Sequence, residues 1–285
     1  MSLDKNTKIL IVGLGLIGGS YAAALKEKGY FIGAVDIDKE SLQYALKNGM
    51  IDEGADIPNE EFIGKYDLVV FSLYPKIFEE WIKKYGKMIK KGAVVTDVTG
   101  VKSTIVPNIQ KLLEGRCEFV PAHPMAGKET SGIKNARSDM FRNANYIITP
   151  TEINSKQAID LVKELGETLE FKNISFLTIE KHDEIIGYLS QLTHCIAVAL
   201  MLCKNSEEME KYTGDSFRDL TRIAKINDAM WSELFFMNKE ELISQMELFE
   251  NSFAKLKESI ANDDCDTLRK MMRLSNERRK SFDKK

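Results

Sequence analysis

The stretch KILIVGLGLIGGS, Lys8 to Ser20, decides the fold of this chain. Lys8–Val12 is a β-branched apolar run and reads as a strand. It stops at Gly13-Leu14-Gly15-Leu16-Ile17-Gly18, which satisfies the spacing GxGxxG. From Ser20 to Lys28 the pattern turns helical and closes at Gly29. A GxGxxG turn between a strand and a helix has the context in which it binds the pyrophosphate of a dinucleotide. The first glycine permits the tight turn, the second admits the phosphate, and the third lets helix and strand pack. Backbone N–H groups at the helix start then face the negative charge.

Phe31–Val35 is the next strand and ends at Asp36, whose carboxylate can accept hydrogen bonds from both ribose hydroxyls. The same charge repels a 2′-phosphate, which favours NAD over NADP. The cofactor contacts are therefore expected at Gly13, Leu14, Gly15, Leu16, Ile17, Gly18 and Asp36. A tight turn that binds nothing and an FAD site are the alternatives, although no second nucleotide segment is evident for FAD.

Outward from the turn, strand and helix alternate. Helix is expected over Glu40 to Asn48, strand over Asp67–Leu73, helix over Ile77 to Ile89, and strand over Ala93–Asp97. Helix over Ser103 to Leu113 and a short strand over Glu118–Val120 follow. Asn145–Ile148, Ser155 to Leu169 and Ile174–Leu177 add a strand, a helix and a last strand. Continuous apolar strands separated by helices imply a doubly wound, mostly parallel sheet buried on both faces, of Rossmann type. From Thr178 onward the pattern is helical only, with Glu180 to Leu202, Lys239 to Ile260 and Asp266 to Lys280 the clearest helices. The chain thus divides into residues 1–174, dinucleotide-binding, and residues 175–285, an all-helical domain. The apolar helix Ile185 to Cys203 is expected to be a buried helix and not a membrane span, because Gln191 and His194 interrupt it and charge flanks it. A small helical domain covers such a helix poorly, so a helix-exchanging dimer is expected.

The 285 residues carry a formal charge of -3, which gives no global attraction to nucleic acid or an anionic membrane. The N-terminus has no signal-peptide pattern. Cys117, Cys195, Cys203 and Cys265 have no CxxC spacing, so no zinc site is indicated, and scattered thiols fit a reducing, cytoplasmic setting.

Three further segments carry candidate chemistry. PAHPMAGKETSG, Pro121 to Gly132, is too rich in turn formers to read as helix or strand, so His123 is expected on a loop at the rim of the sheet. There it can take a hydroxyl proton as a hydride leaves; a surface histidine bonded to a carbonyl is the alternative. LSQLTHCIAVAL places His194 one helical turn after Gln191; a core histidine bonded to the backbone is the alternative. FRDLTRIAKINDAMW holds Asp219 and Arg222, which can pair on a helix surface or can serve as a carboxylate clamp, Asp219 orienting Arg222.

Together VGLGLIGGS, DVTGVKS (Asp97–Ser103), HPMAGKETSG, SQLTH and FRDLTRIAKINDAMW resemble, in order, the prephenate dehydrogenase family, with arogenate dehydrogenase its near relative. The resemblance implies NAD-dependent oxidative decarboxylation of prephenate to 4-hydroxyphenylpyruvate in tyrosine biosynthesis, by a homodimer joined through the helical domain. L-arogenate as substrate, and a non-catalytic NAD-sensing dimer, are the rivals. It also implies that His123 is the catalytic histidine at the ring hydroxyl, that His194 is a second active-site histidine, and that Arg222 holds a carboxylate. Trp231 matches a tryptophan that reaches the site from the partner subunit. Two positions depart from the family: Gly100 stands where many members have serine, and Gln191 where many have histidine. Thr99 or Ser103 is expected to supply the missing hydroxyl, and Lys102 of the same block is expected at the substrate. With no segment after Lys285, feedback by tyrosine would have to act through these two domains.

Overall fold

A computed structural model describes residues 2–127, 130–205 and 208–282. In chain order the first half contains β1 (Lys8–Val12), α1 (Leu16–Glu27), β2 (Phe31–Val35), α2 (Lys39–Lys47) and β3 (Glu53–Ala55). It continues with α3 (Glu60–Ile63), β4 (Leu68–Phe71), α4 (Pro75–Tyr85), β5 (Val94–Asp97), α5 (Val106–Leu113) and β6 (Glu118–Phe119). These six strands form one parallel sheet in the order β3-β2-β1-β4-β5-β6. The chain winds outward from β1 to β3, then crosses back to place β4 on the other side of β1. The C-terminal ends of β1, β2, β4 and β5 come level, with Val12 opposite Val35 and Phe71, and Phe71 opposite Asp97. That edge is the crevice where a doubly wound sheet takes its ligand.

The turn between β1 and α1 uses its glycines for distinct steric reasons. Gly13 lies at φ +93°, and Gly18 passes so close that an added Cβ would sit 1.9 Å from the Gly13 carbonyl oxygen. At Gly15 an added Cβ would meet nothing within 4 Å. Gly15 also caps α1 without any side-chain hydrogen bond, so no capping side chain takes up the first N–H groups of the helix.

A second, three-stranded sheet follows: β7 (Ala122–Met125), β8 (Asn145–Ile148) and, after α6 (Lys156–Thr168), β9 (Asn173–Phe176). β7 runs antiparallel to β8, and β9 runs parallel to it. Two expectations are corrected here. The last strands leave the main sheet to form their own, and His123 lies in a strand, not a loop. β7 is an edge strand, and an edge tolerates a proline because the missing N–H costs no ladder bond. Alternation along β7 buries Ala122 and Pro124 and leaves His123 and Met125 on the opposite face.

The helical half begins where the Thr178 hydroxyl caps α7 (Ile179–Ile186) by accepting from the Lys181 N–H. A π-helical turn, Gly187–Leu192, joins α7 to α8 (Thr193–Leu202). Then come α9 (Asp215–Thr221), α10 (Asp228–Met237), α11 (Lys239–Ala261) and α12 (Cys265–Arg279). The span Ile179–Leu202 is long and apolar enough to cross a membrane by length and composition. The expectation that it is a buried helix holds only in part, since within α8 Ala197 alone is buried. α9 and the turn after it cover one side of α8, while Leu202, Phe236, Leu248, Phe253 and Ile260 lie exposed.

The glycine geometry separates stability from binding. Gly18→Ala should cost more than the roughly 1–3 kcal/mol of ordinary overpacking, because the clash is with backbone. Gly15→Ala should change stability by less than about 0.5 kcal/mol yet weaken dinucleotide binding. Thermal melts and NAD titration of both variants check this.

Candidate active site

A cleft of about 630 Å3 lies between the two halves. One end is formed by Gly15, Leu16 and Ile17 of the glycine turn. Ser72 to Pro75 and Val98 to Gly100, from the ends of β4 and β5, form its floor with His123 and Met125 of β7. The helical half supplies Gln191, His194, Arg222, Lys225 and Trp231 as the opposite wall. His123, His194, Arg222, Gln191, Thr99 and Trp231 therefore meet in one space, together with the nucleotide turn.

The glycine turn is buttressed by Asp36. Its Oδ2 accepts from the Leu14 N–H at 2.5 Å and its Oδ1 accepts from the Asp38 N–H at 2.8 Å. The carboxylate thus stands beside the turn at the end of β2, where a ribose would lie. An open Gly15, uncapped helix N–H groups and this carboxylate make a set of donors and acceptors that fits a dinucleotide.

The DVTGVKS segment works differently from its expected role. Lys102 is fully buried, and its ammonium donates to Asp97 Oδ1 at 2.9 Å and Oδ2 at 2.7 Å. It also donates to the Ala122 carbonyl at 2.6 Å, while Asp97 Oδ1 accepts from the Ala122 N–H at 3.0 Å. The ion pair therefore grips both backbone polar groups of the residue before His123. The Thr99 hydroxyl donates to the same Asp97 carboxylate, and the Ser103 hydroxyl donates to Asp183. Lys102, Thr99 and Ser103 are thus corrected as substrate contacts: their polar groups are used in holding the site together. Thr99 still forms part of the wall, but among the described residues neither its hydroxyl nor that of Ser103 replaces the serine absent at Gly100. A Cβ at Gly100 would lie 3.7 Å from both Cε1 and Nε2 of His123, so this edge of the imidazole faces the cleft.

Behind His123 stands a residue that the sequence reading missed. His182, fully buried on α7, brings its Nε2 to 3.0 Å from His123 Nδ1. Its own Nδ1 lies 2.7 Å from Asp183 Oδ1. Asp183 in turn accepts from the Lys102 N–H at 3.0 Å and the Ser103 N–H at 2.8 Å. Burial, with the neighbouring His182 and the Lys102 ammonium, holds the His123 pKa well below the usual histidine value. Burial also lowers that of His182, against the opposing pull of Asp183. Hydrogen bonds from His182 and Ser103 keep Asp183 below the usual carboxylate range despite its burial. The only sequence signal for His182 was that it is the one histidine of the three left without a role, next to an aspartate.

On the helical wall, the His194 ring lies 3.7 Å, centroid to centroid, from the Trp231 ring. Its Nδ1 is 2.8 Å from the Ser190 carbonyl oxygen. His194 is thus both bonded to the backbone and part of the cleft lining. Trp231 lines the cleft of its own chain. Gln191 donates to the Leu234 carbonyl at 3.1 Å and accepts from Asn238 at 2.8 Å, so much of its amide serves the helix packing. Asp219 is exposed on α9 and outside the cleft lining. It is therefore corrected as a substrate contact. Lys225, which the sequence reading left without a role, joins Arg222 on the wall. Lys128 and Glu129 of the HPMAGKETSG block lie outside the described residues.

A dinucleotide-binding half facing a cationic helical wall, with a neutral imidazole between them, defines a two-domain dehydrogenase. Residues 21–174 match the family model described as prephenate dehydrogenase, nucleotide-binding domain, and residues 178–274 match prephenate dehydrogenase, dimerization domain. The chain belongs to the prephenate dehydrogenase family. It is similar to the prephenate dehydrogenase of Bacillus subtilis, 31% identical over 281 residues covering 94% of this chain and 74% of that protein. The cyclohexadienyl dehydrogenase of Zymomonas mobilis is 27% identical over 267 residues, covering 91% of this chain and 90% of that protein. Among solved structures, prephenate dehydrogenase from Aquifex aeolicus in complex with hydroxyphenyl propionate and NAD+ is 33% identical, with a TM-score of 0.89. That alignment covers 99% of this chain and 100% of the other.

The buried pair yields a stability prediction. Lys102→Met leaves Asp97 charged, buried and without its counter-ion, and should cost about 3–5 kcal/mol. Urea denaturation measures it; a loss below about 1 kcal/mol would show that the pair is not a structural clamp.

Proposed function

We propose that this chain catalyses the NAD-dependent oxidative decarboxylation of prephenate to 4-hydroxyphenylpyruvate, a step of tyrosine biosynthesis. The observation that carries this reading is that His123 and Arg222 line one cleft with the glycine turn. Gly13, Gly15 and Gly18 would hold the pyrophosphate of NAD, and Asp36 its ribose. Bound there, NAD supplies the hydride acceptor.

The remaining chemistry falls to side chains of this chain. Prephenate carries two carboxylates, and Arg222 and Lys225 are cations on the wall opposite the nucleotide turn. Arg222 can grip a carboxylate with two parallel N–H bonds, which fixes orientation as well as charge. His123, neutral at physiological pH because of its burial, takes the proton of the ring hydroxyl through its cleft-facing Nε2. The His194 ring packs on Trp231, and both border the space for the organic part of the substrate. Loss of carbon dioxide then makes the ring aromatic, so the protein need only align, neutralise and accept one proton.

L-arogenate is a second reading, and His194 is the observation that favours it. With Nδ1–H donated to Ser190 and burial holding the ring neutral, Nε2 presents a lone pair. A lone pair suits the amine of arogenate; the ketone of prephenate needs a protonated ring there. Assay of both substrates by NADH absorbance separates the readings. We also propose a homodimer through the helical domain, which the match to a dimerization domain and the exposed apolar residues of α8, α10 and α11 support.

Two outcomes are expected. His123→Asn should lower kcat by roughly 10²- to 10⁴-fold. Because the wild-type ring titrates below its usual value, kcat/KM should stay level as pH falls through about 6.5 and decline only below it. Unchanged turnover in the variant would remove His123 from the reaction. Asp36→Ala should relax the preference for NAD over NADP by about ten- to a hundredfold, the worth of one charged hydrogen bond; an unchanged ratio of the two kcat/KM values would show that Asp36 does not meet the ribose.

A further inference from the structure

We propose that His182 and Asp183 form a relay from the helical half that fixes the tautomer of His123 and takes up the proton His123 receives. This rests on the reading of His123 as the base. Both are positioning residues, since neither lines the cleft.

The direction of each hydrogen bond follows from its far end. The Asp183 carboxylate can only accept, and it already accepts from the Lys102 and Ser103 N–H groups and the Ser103 hydroxyl. His182 must therefore carry its hydrogen on Nδ1 and donate it to Asp183. A neutral His182 then has only a lone pair on Nε2, so the 3.0 Å contact to His123 requires that His123 donate from Nδ1. What remains on His123 is a bare Nε2 facing Gly100 and the cleft. Three successive groups, two of them fully buried, thus leave the base with one orientation and one protonation pattern.

The same chain conducts a proton in a balanced way. The substrate O–H breaks, its electron pair stays on oxygen, and an N–H forms at His123 Nε2. The His123 Nδ1–H passes to His182 Nε2, while the His182 Nδ1–H stays bonded to Asp183. One proton has moved, and the positive charge rests on the ring that touches a carboxylate. The charged groups around the pair favour that site. Both rings feel the Lys102 ammonium from the loop after β5, but only His182 has the hydrogen bond to Asp183 on its own helix and the attraction of Asp183 and of Asp97 of β5 to offset it. This is the logic of a nucleophile–base–carboxylate triad with a second imidazole inserted.

The chain has three histidines, so their nitrogens can be resolved by 15N–1H correlation spectroscopy on 15N-histidine-labelled protein with NAD bound. His123 should show a protonated Nδ1 and a bare Nε2; a protonated Nε2 would overturn the proposal whatever any variant does. His182→Gln keeps an acceptor for His123 Nδ1–H, whereas His182→Leu keeps none. Turnover should fall about 10²-fold in the leucine variant and clearly less in the glutamine variant, with the substrate KM of both within about twofold of wild type. In the wild type, protonation of His182 blocks the relay, and Asp183 raises the pH at which that happens. In His182→Gln that group is gone, so the acidic limb of kcat/KM should move to lower pH. Loosened packing alone would lower the plateau and leave the limb in place. Equal, wild-type turnover in both variants would overturn the relay. A wild-type enzyme that turns over neither prephenate nor arogenate would instead overturn the proposed reaction, and the tautomer measurement would still decide the relay.

Discussion

The site depends on one buried ion pair. Asp97 ends β5 of the parallel sheet, and Lys102 follows it by five residues, inside the fold where neither charge meets water. Burying two charges is costly, and such a pair is retained only when hydrogen bonds use up its remaining capacity. Here they do. The carboxylate also takes the N–H of Thr99 and of Ala122, and the ammonium also gives to the Ala122 carbonyl. Burial favours the uncharged amine of Lys102, and the two aspartates Asp97 and Asp183 oppose that shift. The pair fixes where the chain leaves the first sheet and enters the second, and so fixes the strand that carries His123.

The same segment joins the two halves. The Lys102 and Ser103 N–H groups point to Asp183, at the start of the helical domain. Asp183 also ties to α11, through the bond from Asn238 to its carbonyl, and Asn238 reaches on to Gln191 in the π-helical turn. A π turn shifts the register of the side chains that follow it, and such turns recur at functional sites. Here it sets Gln191 and His194 on the cleft side of a helix whose other surface is apolar. Polar contacts at its root thus help position the helical half, beside the packing of Ile179 and Met237 against the core of the sheet, and several of its large apolar side chains are left outward.

What the sequence discloses and what it conceals divide along chain distance. The glycine turn, Asp36 and the strands around them follow from local rules, because a turn between adjacent elements is specified by residues that are neighbours in sequence. Arg222 and His194 were legible through a run of residues resembling a family. His182 was not, because its meaning depends on a residue 59 positions away, His123, across a domain boundary. Lys102, Thr99 and Ser103 were misassigned for a related reason. A polar block that fits the family pattern, on the segment that leads to His123, reads as substrate contact, and only coordinates show that its polar atoms point inward to Asp97 and Asp183. β7 was misread because prolines and glycines were weighed as turn formers without knowing that the strand is an edge.

The glycine at position 100 belongs to the same arrangement. A side chain there would begin 3.7 Å from His123 Nε2, and a hydroxyl on it would hold the imidazole from the cleft side. Glycine leaves that space to the substrate and gives the ring nothing to lean on. An imidazole held on neither side would sample both tautomers and several rotations, and its lone pair would face the cleft only part of the time. Among the described residues the restraint on the ring comes from behind, through His182 and Asp183, and Asp183 is anchored by the backbone of the segment that supplies Lys102. Orientation of His123 and closure of the joint between the halves are thus one constraint: any change that loosens Asp183 from Lys102 and Ser103 releases His182, and with it the cleft-facing nitrogen of His123.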